Sequence, residues 1–190
     1  MRRFDRTLKG EALGFEDMCS LKAQGTAQKY RGTYEGIAKS LKSFVSGEHL
    51  PAARQQFFSM LVLSSMVRNG DAHLKNFGLL YASPQGPVAI APVFDVVTTT
   101  AYLQHDVPAL SLAGTKKWWP RNMLERFAIS HLALTSAEVR ETIERLAAAV
   151  MDTRKMIPNY MSEHPEFREM GKSMLDIWAA GVAGLCGGRD

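Results

Sequence analysis

The sequence predicts a mainly α-helical protein with one small β-hairpin. Three observations support this fold class: a long apolar segment at residues 51–68, two short apolar runs separated by a turn, and a capping-box pattern at Thr135. The 190 residues are 46% apolar and 22% charged, proportions typical of a folded chain with a buried core. We therefore expect a single domain spanning residues 1–190.

Residues 51–68 predict a central helix. Pro51 suits a first helical turn, and the apolar side chains that follow would surround the helix on nearly all sides, as in a helix inside a core. These side chains are Phe57, Phe58, Met60, Leu61, Val62, Leu63, Met66 and Val67. Asn69-Gly70 is expected to provide the left-handed residue at which such a helix ends. Before this helix, segments 15–21 and 34–45 each predict a short helix.

A hairpin and two further helices are predicted after the central helix. Residues 77–81 and 88–94 are short apolar runs, and the turn-forming sequence S-P-Q-G separates them. Thr135 and Glu138 form a capping box before apolar residues at helical spacing, and this run ends at Pro158. Residues 165–185 predict one more helix.

Composition excludes several classes of protein. The two cysteines, Cys19 and Cys186, form no C-x-x-C motif, which favours a reducing cytoplasm over a disulfide framework or zinc ribbon. The amino terminus lacks the apolar segment of a secretory signal, and no apolar stretch is long enough to span a bilayer. We expect a cytoplasmic protein without a membrane partner. The net charge of +4 is too small to indicate nucleic-acid binding.

A polar loop between the central helix and the hairpin contains the candidate chemistry. Asp71 and Asn76 have the D-x-x-x-x-N spacing of protein-kinase catalytic loops, in which the carboxylate orients the substrate hydroxyl and the amide oxygen binds magnesium. Asp95 supplies a second carboxylate after the hairpin. Magnesium prefers such hard oxygen ligands and also binds nucleotide phosphates. Asn76 and Asp95 are therefore candidate Mg²⁺ ligands, with ATP as the cofactor.

Each of these residues also has a simpler interpretation. Asp71 could cap local backbone amides, and Asp95 could form a turn. His73 could tie the loop to a carbonyl, and Lys75 could be a solvated charge, although either could place positive charge near phosphates. The order of helix, D-x-x-x-x-N loop, hairpin and Phe-Asp favours phosphotransfer.

Several motifs resemble the HipA family, the serine/threonine kinase toxins of bacterial toxin-antitoxin modules. N-G-D-A-H-L-K-N-F followed by A-P-V-F-D-V-V-T is similar to the carboxy-terminal lobe of that family. R-R-F-D-R, E-D-M-C and Q-K-Y match further segments in the same order, so the resemblance covers residues 1 to about 105. It implies a protein-kinase-like C-lobe: a hinge and irregular helical segment at 1–50, the central helix, catalytic loop and metal-binding hairpin at 51–105, and a helical subdomain at 106–190.

The resemblance also implies roles and partners. Asp71 would be the catalytic aspartate, with His73 and Lys75 as supporting groups of its loop. Asn76 and Asp95 would bind magnesium, and Phe4 would lie at the hinge beside the adenine. The family's kinases autophosphorylate, and its characterised toxin phosphorylates glutamyl-tRNA synthetase, which halts translation and promotes antibiotic tolerance. A HipB-like helix-turn-helix antitoxin would be the partner, and DNA would be contacted only through it.

A kinase also needs an N-lobe with a glycine-rich loop and a lysine over the phosphates, and this sequence contains neither. Because R-F-D-R matches the hinge, we expect the N-lobe to be absent from this chain. Three explanations are open: a fragment of a longer kinase, one subunit of a split kinase whose N-lobe acts in trans, or a catalytically silent binding lobe. The chain alone is expected to bind Mg²⁺-ATP weakly and to be inactive.

The sequence also allows three other functions. Small-molecule phosphotransferases have a similar G-D-x-H-x-x-N loop, but E-D-M-C, K-Y and A-P-V-F-D-V-V favour the HipA-like assignment. The sequence K-K-W-W-P-R at residues 116–121 could instead bind DNA or a partner protein, or could simply be a solvated turn with packed tryptophans. A metal hydrolase using His73, Asp71 and Asp95 is disfavoured, because no H-x-x-x-H or H-E-x-x-H pair is present.

Overall fold

The computed structural model describes residues 3–187, which form two compact units. The first unit comprises the chain up to Phe57, together with Ala72–Asp95 and Ala109–Lys116. The second comprises Phe58–Asp71, Val96–Pro108 and the chain from Lys117 onward. No helix within residues 3–187 has the length and apolar character needed to cross a bilayer.

The described chain is mainly helical, which confirms the predicted fold class. Its α-helices are α1 Met18–Leu21, α2 Tyr34–Phe44, α3 Leu50–Val67, α4 Arg121–Leu132, α5 Ser136–Arg154, α6 Ile157–Glu163 and α7 Arg168–Cys186. Short 3₁₀ turns occur at Thr26–Gln28, Leu74–Asn76, Thr99–Ala101 and Pro165–Phe167.

A three-stranded antiparallel sheet lies in the first unit, with strands β1 Gly14–Asp17, β2 Gly78–Tyr81 and β3 Val88–Ile90 in the order β1-β2-β3. The predicted hairpin is confirmed as β2 and β3, with Tyr81 opposite Val88. The helix predicted over 15–21 is wrong in its first half, because these residues form β1 and helix begins only at Met18. The cause is pairing of β1 with β2, a contact between segments far apart in sequence that local patterns do not encode.

An aromatic cluster forms the core of the first unit. The rings of Tyr34, Phe57 and Phe77 contact one another with centroid separations of 5.4–6.4 Å. All three side chains are fully buried. They join α2, the first part of α3 and the residue before β2, so this core holds the polar loop that precedes Phe77.

The second unit is built on the buried second part of α3 and on packed helices. Phe58, Leu61 and Met66 are almost completely buried, as expected for a helix that is apolar all round. The capping box at α5 is also confirmed. The Thr135 backbone N–H donates to the Glu138 carboxylate at 2.8 Å, and the Glu138 N–H donates to the Thr135 hydroxyl at 3.3 Å.

The end of α3 differs from the prediction. The left-handed residue is Arg68, with φ of +56°, and not Asn69 or Gly70. Gly70 instead lies in a closely packed place, because an added Cβ would lie 2.1 Å from a carboxylate oxygen of Asp106 and 2.9 Å from the Thr99 hydroxyl, and these side chains would have to move. The sequence signal for a glycine was correct, but its physical reason is close packing.

Close packing also distinguishes two glycines of α7. A Cβ added to Gly181 would lie 1.9 Å from the backbone oxygen of Met66, whereas one added to Gly184 would meet no atom within 4 Å. We predict that Gly181→Ala lowers the free energy of unfolding by about 1–3 kcal/mol, because backbone atoms cannot move aside as easily as a side chain. Gly184→Ala should raise it by about 0.5–1 kcal/mol, because alanine favours helix over glycine.

Urea denaturation of both variants tests this difference, and Gly184→Ala serves as the matched control on the same helix. An increase in stability for Gly181→Ala equal to that for Gly184→Ala would contradict the packing of α7 against α3.

Candidate functional site

Two of the predicted site residues are in direct contact in the first unit. The Asn76 side-chain N–H donates to a carboxylate oxygen of Asp95 at 2.7 Å. The other end of the same amide, Asn76 Oδ1, accepts the backbone N–H of His73 at 3.1 Å. Asn76 is buried and Asp95 is exposed. The pair therefore joins the 3₁₀ turn at the end of the polar loop to the segment after β3. The Asp95 carboxylate is open to solvent.

The donor atoms of this pair fit a hydrated magnesium ion. A carbonyl oxygen has two lone pairs, so Asn76 Oδ1 retains one after accepting the His73 N–H. Asp95 adds carboxylate oxygens, which are the hard ligands that magnesium prefers. Within the described residues, no group of three or more His, Cys, Asp or Glu side chains is placed to hold a metal. Two protein ligands suit an ion whose remaining ligands are water and phosphate.

The loop before Asn76 is held from two sides. The Tyr34 hydroxyl in the core donates to the backbone oxygen of Ala72 at 3.4 Å. The His73 ring is buried and meets the Tyr30 ring edge-on, with a centroid separation of 5.3 Å. The Leu74 N–H also donates to the Lys29 backbone oxygen at 3.1 Å. His73 thus packs inside the unit, in a place that suits orientation of the loop.

Lys75 forms an ion pair with Asp17, at the end of β1. Asp17 also caps α1, since its carboxylate accepts the Ser20 N–H at 3.0 Å. Burial would raise the pKa of Asp17, but hydrogen bonds from Lys75 and the Ser20 N–H outweigh it and hold the pKa below its ordinary value. The hydrogen bond to Asp17 raises the pKa of Lys75. The positive charge of Lys75 is therefore partly neutralised by the Asp17 carboxylate.

Three phenylalanine rings form a cluster in the first unit. Phe4 lies 5.3 Å from Phe94 and 5.9 Å from Phe15, and Phe15 lies 5.9 Å from Phe94, between ring centroids. Phe15 is 37% exposed and packs over Gly78, where an added Cβ would lie 2.4 Å from the ring. Because Phe94 directly precedes Asp95, the cluster forms a partly exposed aromatic surface next in sequence to this candidate metal ligand.

Asp71 belongs to the second unit, where three hydrogen bonds hold the backbone at the start of its loop. Its backbone N–H donates to the Asn69 side-chain oxygen at 3.2 Å. Thr99 holds the preceding residues, because its hydroxyl donates to the Arg68 backbone oxygen at 3.1 Å and accepts the Gly70 N–H at 2.7 Å. These bonds fix the backbone immediately before Asp71, whose side chain is half-exposed.

The structure brings together some of the predicted site residues. Asn76 contacts Asp95. Phe4 contacts Phe94, the residue directly before Asp95, in the aromatic cluster. The convergence of Asp71 with this pair remains a prediction. Sequence reasoning did not identify Asp17, Phe15, Phe94 or Thr99 as site-supporting residues. Asp17 and Phe94 lie in the motifs E-D-M-C and A-P-V-F-D, which could have drawn attention to them, whereas Thr99 carries no local signal.

The Lys75–Asp17 ion pair predicts a pH-dependent contribution to stability. Asp17→Asn retains an oxygen that can cap Ser20 but removes the charge, and should lower the free energy of unfolding by about 1 kcal/mol at neutral pH. Because the folded-state pKa of Asp17 lies below the unfolded value of about 3.9, the difference from wild type should be complete above about pH 5. It should then shrink as the pH falls below 3.9, through the lower folded-state pKa.

Urea denaturation across this pH range measures the difference. Asp152→Asn is the matched control, because the Asp152–Lys155 pair is exposed at both ends and should contribute little. An equal effect of the two substitutions, or a difference for Asp17→Asn that does not change with pH, would contradict a stabilising ion pair.

Comparison with known proteins extends the match well beyond the loop. A protein of Sinorhizobium fredii (strain NBRC 101917 / NGR234) named "Putative kinase Y4dM" is 33% identical over 168 residues, covering 83% of this chain and 39% of that protein. The chain therefore spans about two fifths of the length of this curated relative.

Two solved structures share the fold. The HipA–HipB–operator DNA complex of the Shewanella oneidensis MR-1 toxin-antitoxin system has a TM-score of 0.70 at 17% identity, covering 99% of this chain and 50% of the matched chain. The Helicobacter pylori proinflammatory kinase CtkA has a TM-score of 0.59 at 15% identity, covering 94% and 70% respectively. At these identities the likeness concerns the fold.

The family comparison covers the loop, the sheet and the helices up to the end of α5. The profile of the HipA-like C-terminal domain matches residues 1–154, about fifty residues further than the motifs alone indicated. The chain belongs to the HipA-like C-terminal domain family.

Proposed function

We propose that this chain is the catalytic lobe of a Mg²⁺-ATP-dependent serine/threonine protein kinase. The single observation that carries the proposal is the direct contact between Asn76 and Asp95, the amide and carboxylate that the D-x-x-x-x-N and Phe-Asp motifs assign to the metal. Membership of the HipA-like family supports the assignment of kinase chemistry to this pair.

In the proposed mechanism, Asp71 orients the hydroxyl group of the protein substrate and accepts its proton. Asn76 Oδ1 and the Asp95 carboxylate would hold magnesium, which neutralises charge on the phosphates when bound. The hydrogen bonds to Asn69 and Thr99 preset the backbone at Asp71, and positioning of this kind is the main protein contribution to phosphoryl transfer. A half-exposed carboxylate at this position is accessible to a substrate hydroxyl.

His73 and Lys75 are proposed to position the loop. The buried His73 ring packs against Tyr30, and its backbone N–H bonds to Asn76. Lys75 bonds to Asp17 and so ties the 3₁₀ turn to β1. Loss of either contact would shift Asn76 relative to Asp95, and displacement of a ligand by even 1 Å can lower the rate of a positioned reaction strongly.

The phenylalanine cluster is proposed to contact the adenine. Phe4, the predicted hinge residue, packs with Phe15 and Phe94 into a partly exposed aromatic surface. Aromatic rings stack favourably on a nucleobase, and each such contact stabilises binding by about 1–3 kcal/mol. Phe94 and Asp95 are consecutive, so one short segment would contribute to both base and metal binding.

A second lobe is proposed to complete the kinase, in cis or in trans, by supplying a phosphate-covering loop and a lysine. Without these groups, we expect nucleotide affinity of the 190-residue chain to be weaker than micromolar. The DNA immediately 5′ of the Met1 codon distinguishes the two arrangements. An in-frame glycine-rich loop there would place the lobe in cis, and a separate small gene would place it in trans.

A HipB-like antitoxin is the proposed partner, with DNA contacted only through it. The structure of the Shewanella HipA with HipB and operator DNA, which shares the fold, supports this proposal. The proposed target is a protein hydroxyl, and glutamyl-tRNA synthetase is the candidate substrate on the basis of the family resemblance. Phosphorylation of that enzyme would halt translation and promote antibiotic tolerance.

The roles of Asp95 and Asp71 predict different effects of the same chemical change. Asp95→Asn should weaken Mg²⁺-dependent ATP binding by about tenfold or more, because one hard ligand loses its charge. Asp71→Asn should leave this binding unchanged, because Asp71 acts on the substrate hydroxyl. In the assembled two-lobe kinase, Asp71→Asn should lower phosphate transfer by about 10²–10⁴-fold.

Isothermal titration calorimetry at high protein concentration measures binding, and phosphate incorporation measures transfer. Asp176→Asn is a charge-matched control at an exposed site of α7. ATP binding by wild type that does not depend on Mg²⁺, or an equal loss of binding in both active-site variants, would overturn the proposed roles and favour a catalytically silent binding lobe.

A further inference from the structure

The central residues of the segment K-K-W-W-P-R, Trp118, Trp119 and Pro120, line a cavity in the second unit. Trp118 is half-buried and Trp119 is only 4% exposed, so the two indoles are largely enclosed. Together with Arg68 and Gly184 they line a cavity of about 220 Å³. The segment therefore shapes a small concave site and does not present two exposed rings to a nucleic acid.

Arg68 places a positive charge in the wall of this cavity. Its guanidinium carbon lies 4.9 Å from the centroid of the Trp118 ring, in a cation–π arrangement. The side chain is half-buried, and this burial lowers the pKa of its guanidinium. Among the described residues, no carboxylate lies within ion-pair distance of Arg68.

A half-buried charge without a counter-ion is unfavourable. The carboxylate of Asp106, on a neighbouring segment, accepts the Val107 N–H at 3.0 Å and packs beside Gly70. Asp106 and Arg68 form no ion pair, so the guanidinium in the cavity wall can still pair with an anionic ligand.

The charged group of the cavity wall, the Arg68 guanidinium, suits a phosphate. Lys117, which directly precedes Trp118, is exposed and forms no ion pair within the described chain. Arg121 donates to the Glu125 carboxylate at 2.7 Å, so that pair is nearly neutral. Arg68 is thus the cation of the cavity wall that no ion pair within the described residues neutralises, and Lys117 is adjacent to Trp118 in sequence. A guanidinium binds phosphate oxygens through two parallel hydrogen bonds.

The size of the cavity limits the ligand. Its 220 Å³ falls below the range of about 300–1,000 Å³ that holds drug-sized molecules. Gly184 leaves part of the wall open, because no atom lies within 4 Å of the position that its Cβ would take. A phosphate on a short side chain fits this space, and the indole rings would pack against the aliphatic carbons of the ligand.

We propose that this cavity is a binding site for a phosphate monoester dianion, with Arg68 as the principal anion ligand and Trp118 and Trp119 as its walls. The inference is independent of the proposed kinase function, since Asp71, Asn76 and Asp95 do not line the cavity. The phosphate could be carried by a phosphorylated side chain of a protein or by a small phosphomonoester, which present the same chemistry.

The indole N–H signals of the 190-residue chain provide a direct test by ¹H–¹⁵N NMR. The protein is titrated without Mg²⁺ with O-phosphoserine, a phosphoserine peptide, inorganic phosphate and acetate. We expect phosphate-bearing probes to shift the Trp118 and Trp119 signals saturably. The Trp178 N–H, which donates to Thr98 at 2.7 Å and does not line the cavity, should not move. Tighter binding of the peptide would indicate a protein source, and tighter binding of free phosphoserine a small-molecule source.

Two substitutions test the site in different ways. Arg68→Gln removes the charge and should weaken phosphoserine binding by about tenfold or more. Arg126→Gln removes an exposed arginine of α4 and should leave binding unchanged. Gly184→Leu should fill the cavity and abolish binding without touching Arg68. Ala183→Leu, at the neighbouring exposed position of α7, adds a similar volume outside the cavity and should have no effect.

Three results would overturn the proposal. These are the absence of a saturable shift in wild type, equal affinity for acetate and phosphate, and equal phosphoserine affinity in wild type and Gly184→Leu. The Asn76→Ala variant should retain phosphoserine binding. A loss of Mg²⁺-ATP binding together with retained phosphoserine binding would separate this site from the proposed kinase site.

Discussion

The candidate site depends on the two hydrogen bonds made by the side-chain amide of Asn76. One end accepts the backbone N–H of His73 and the other donates to the Asp95 carboxylate, so a single buried group ties the polar loop to the segment after β3. An unpaired buried amide would cost about 1–3 kcal/mol, which makes this double engagement a strong constraint on the loop. Two neighbouring contacts support this loop. They are the packing of the Tyr34 and Phe77 rings in the core and the ion pair of Lys75 with Asp17.

Close approach at glycine is the second constraint that shapes the molecule. Gly70 admits the Asp106 carboxylate beside the loop, and Gly78 admits the Phe15 ring over the sheet. Gly181 brings α7 against the backbone of α3 at Met66. A methyl group would force neighbouring side chains to move at Gly70 and Gly78, and would meet backbone atoms at Gly181. Glycine thus serves here mainly to let chain segments meet, and its conformational freedom is not what these positions use.

Much of the fold followed from periodicity and capping, because those signals are local. The buried α3, the hairpin of β2 and β3 and the capping box at Thr135 were all predicted correctly. Strand β1 was missed because its partner β2 lies about sixty residues away, and a strand can pair with such a partner without a local pattern. The left-handed residue was also misplaced, since it is Arg68, whereas Gly70 lies against the Asp106 side chain.

Sequence motifs predicted the candidate metal ligands but not the residues that support them. Motif spacing predicted Asn76 and Asp95 as candidate metal ligands, and the structure shows that these two side chains contact each other. Their supporting contacts could not be predicted, because Asp17 and Thr99 act through partners far away in sequence. Arg68 is the clearest example, since only the tertiary structure shows that this arginine at a helix end stacks on Trp118 without an acidic partner among the described residues.

The proposed mechanism requires Asp71, Asn76 and Asp95 to converge on one metal-bound nucleotide. Paramagnetic broadening by Mn²⁺-ATP in NMR spectra of the isolated chain tests this requirement even when binding is weak. We expect the Asn76 side-chain N–H signals and the backbone signals of Asp71 and Asp95 to broaden together at low Mn²⁺-ATP, before those of α6. If the Asp71 signal remains sharp while Asn76 and Asp95 broaden, or if all three remain sharp, the shared site is wrong.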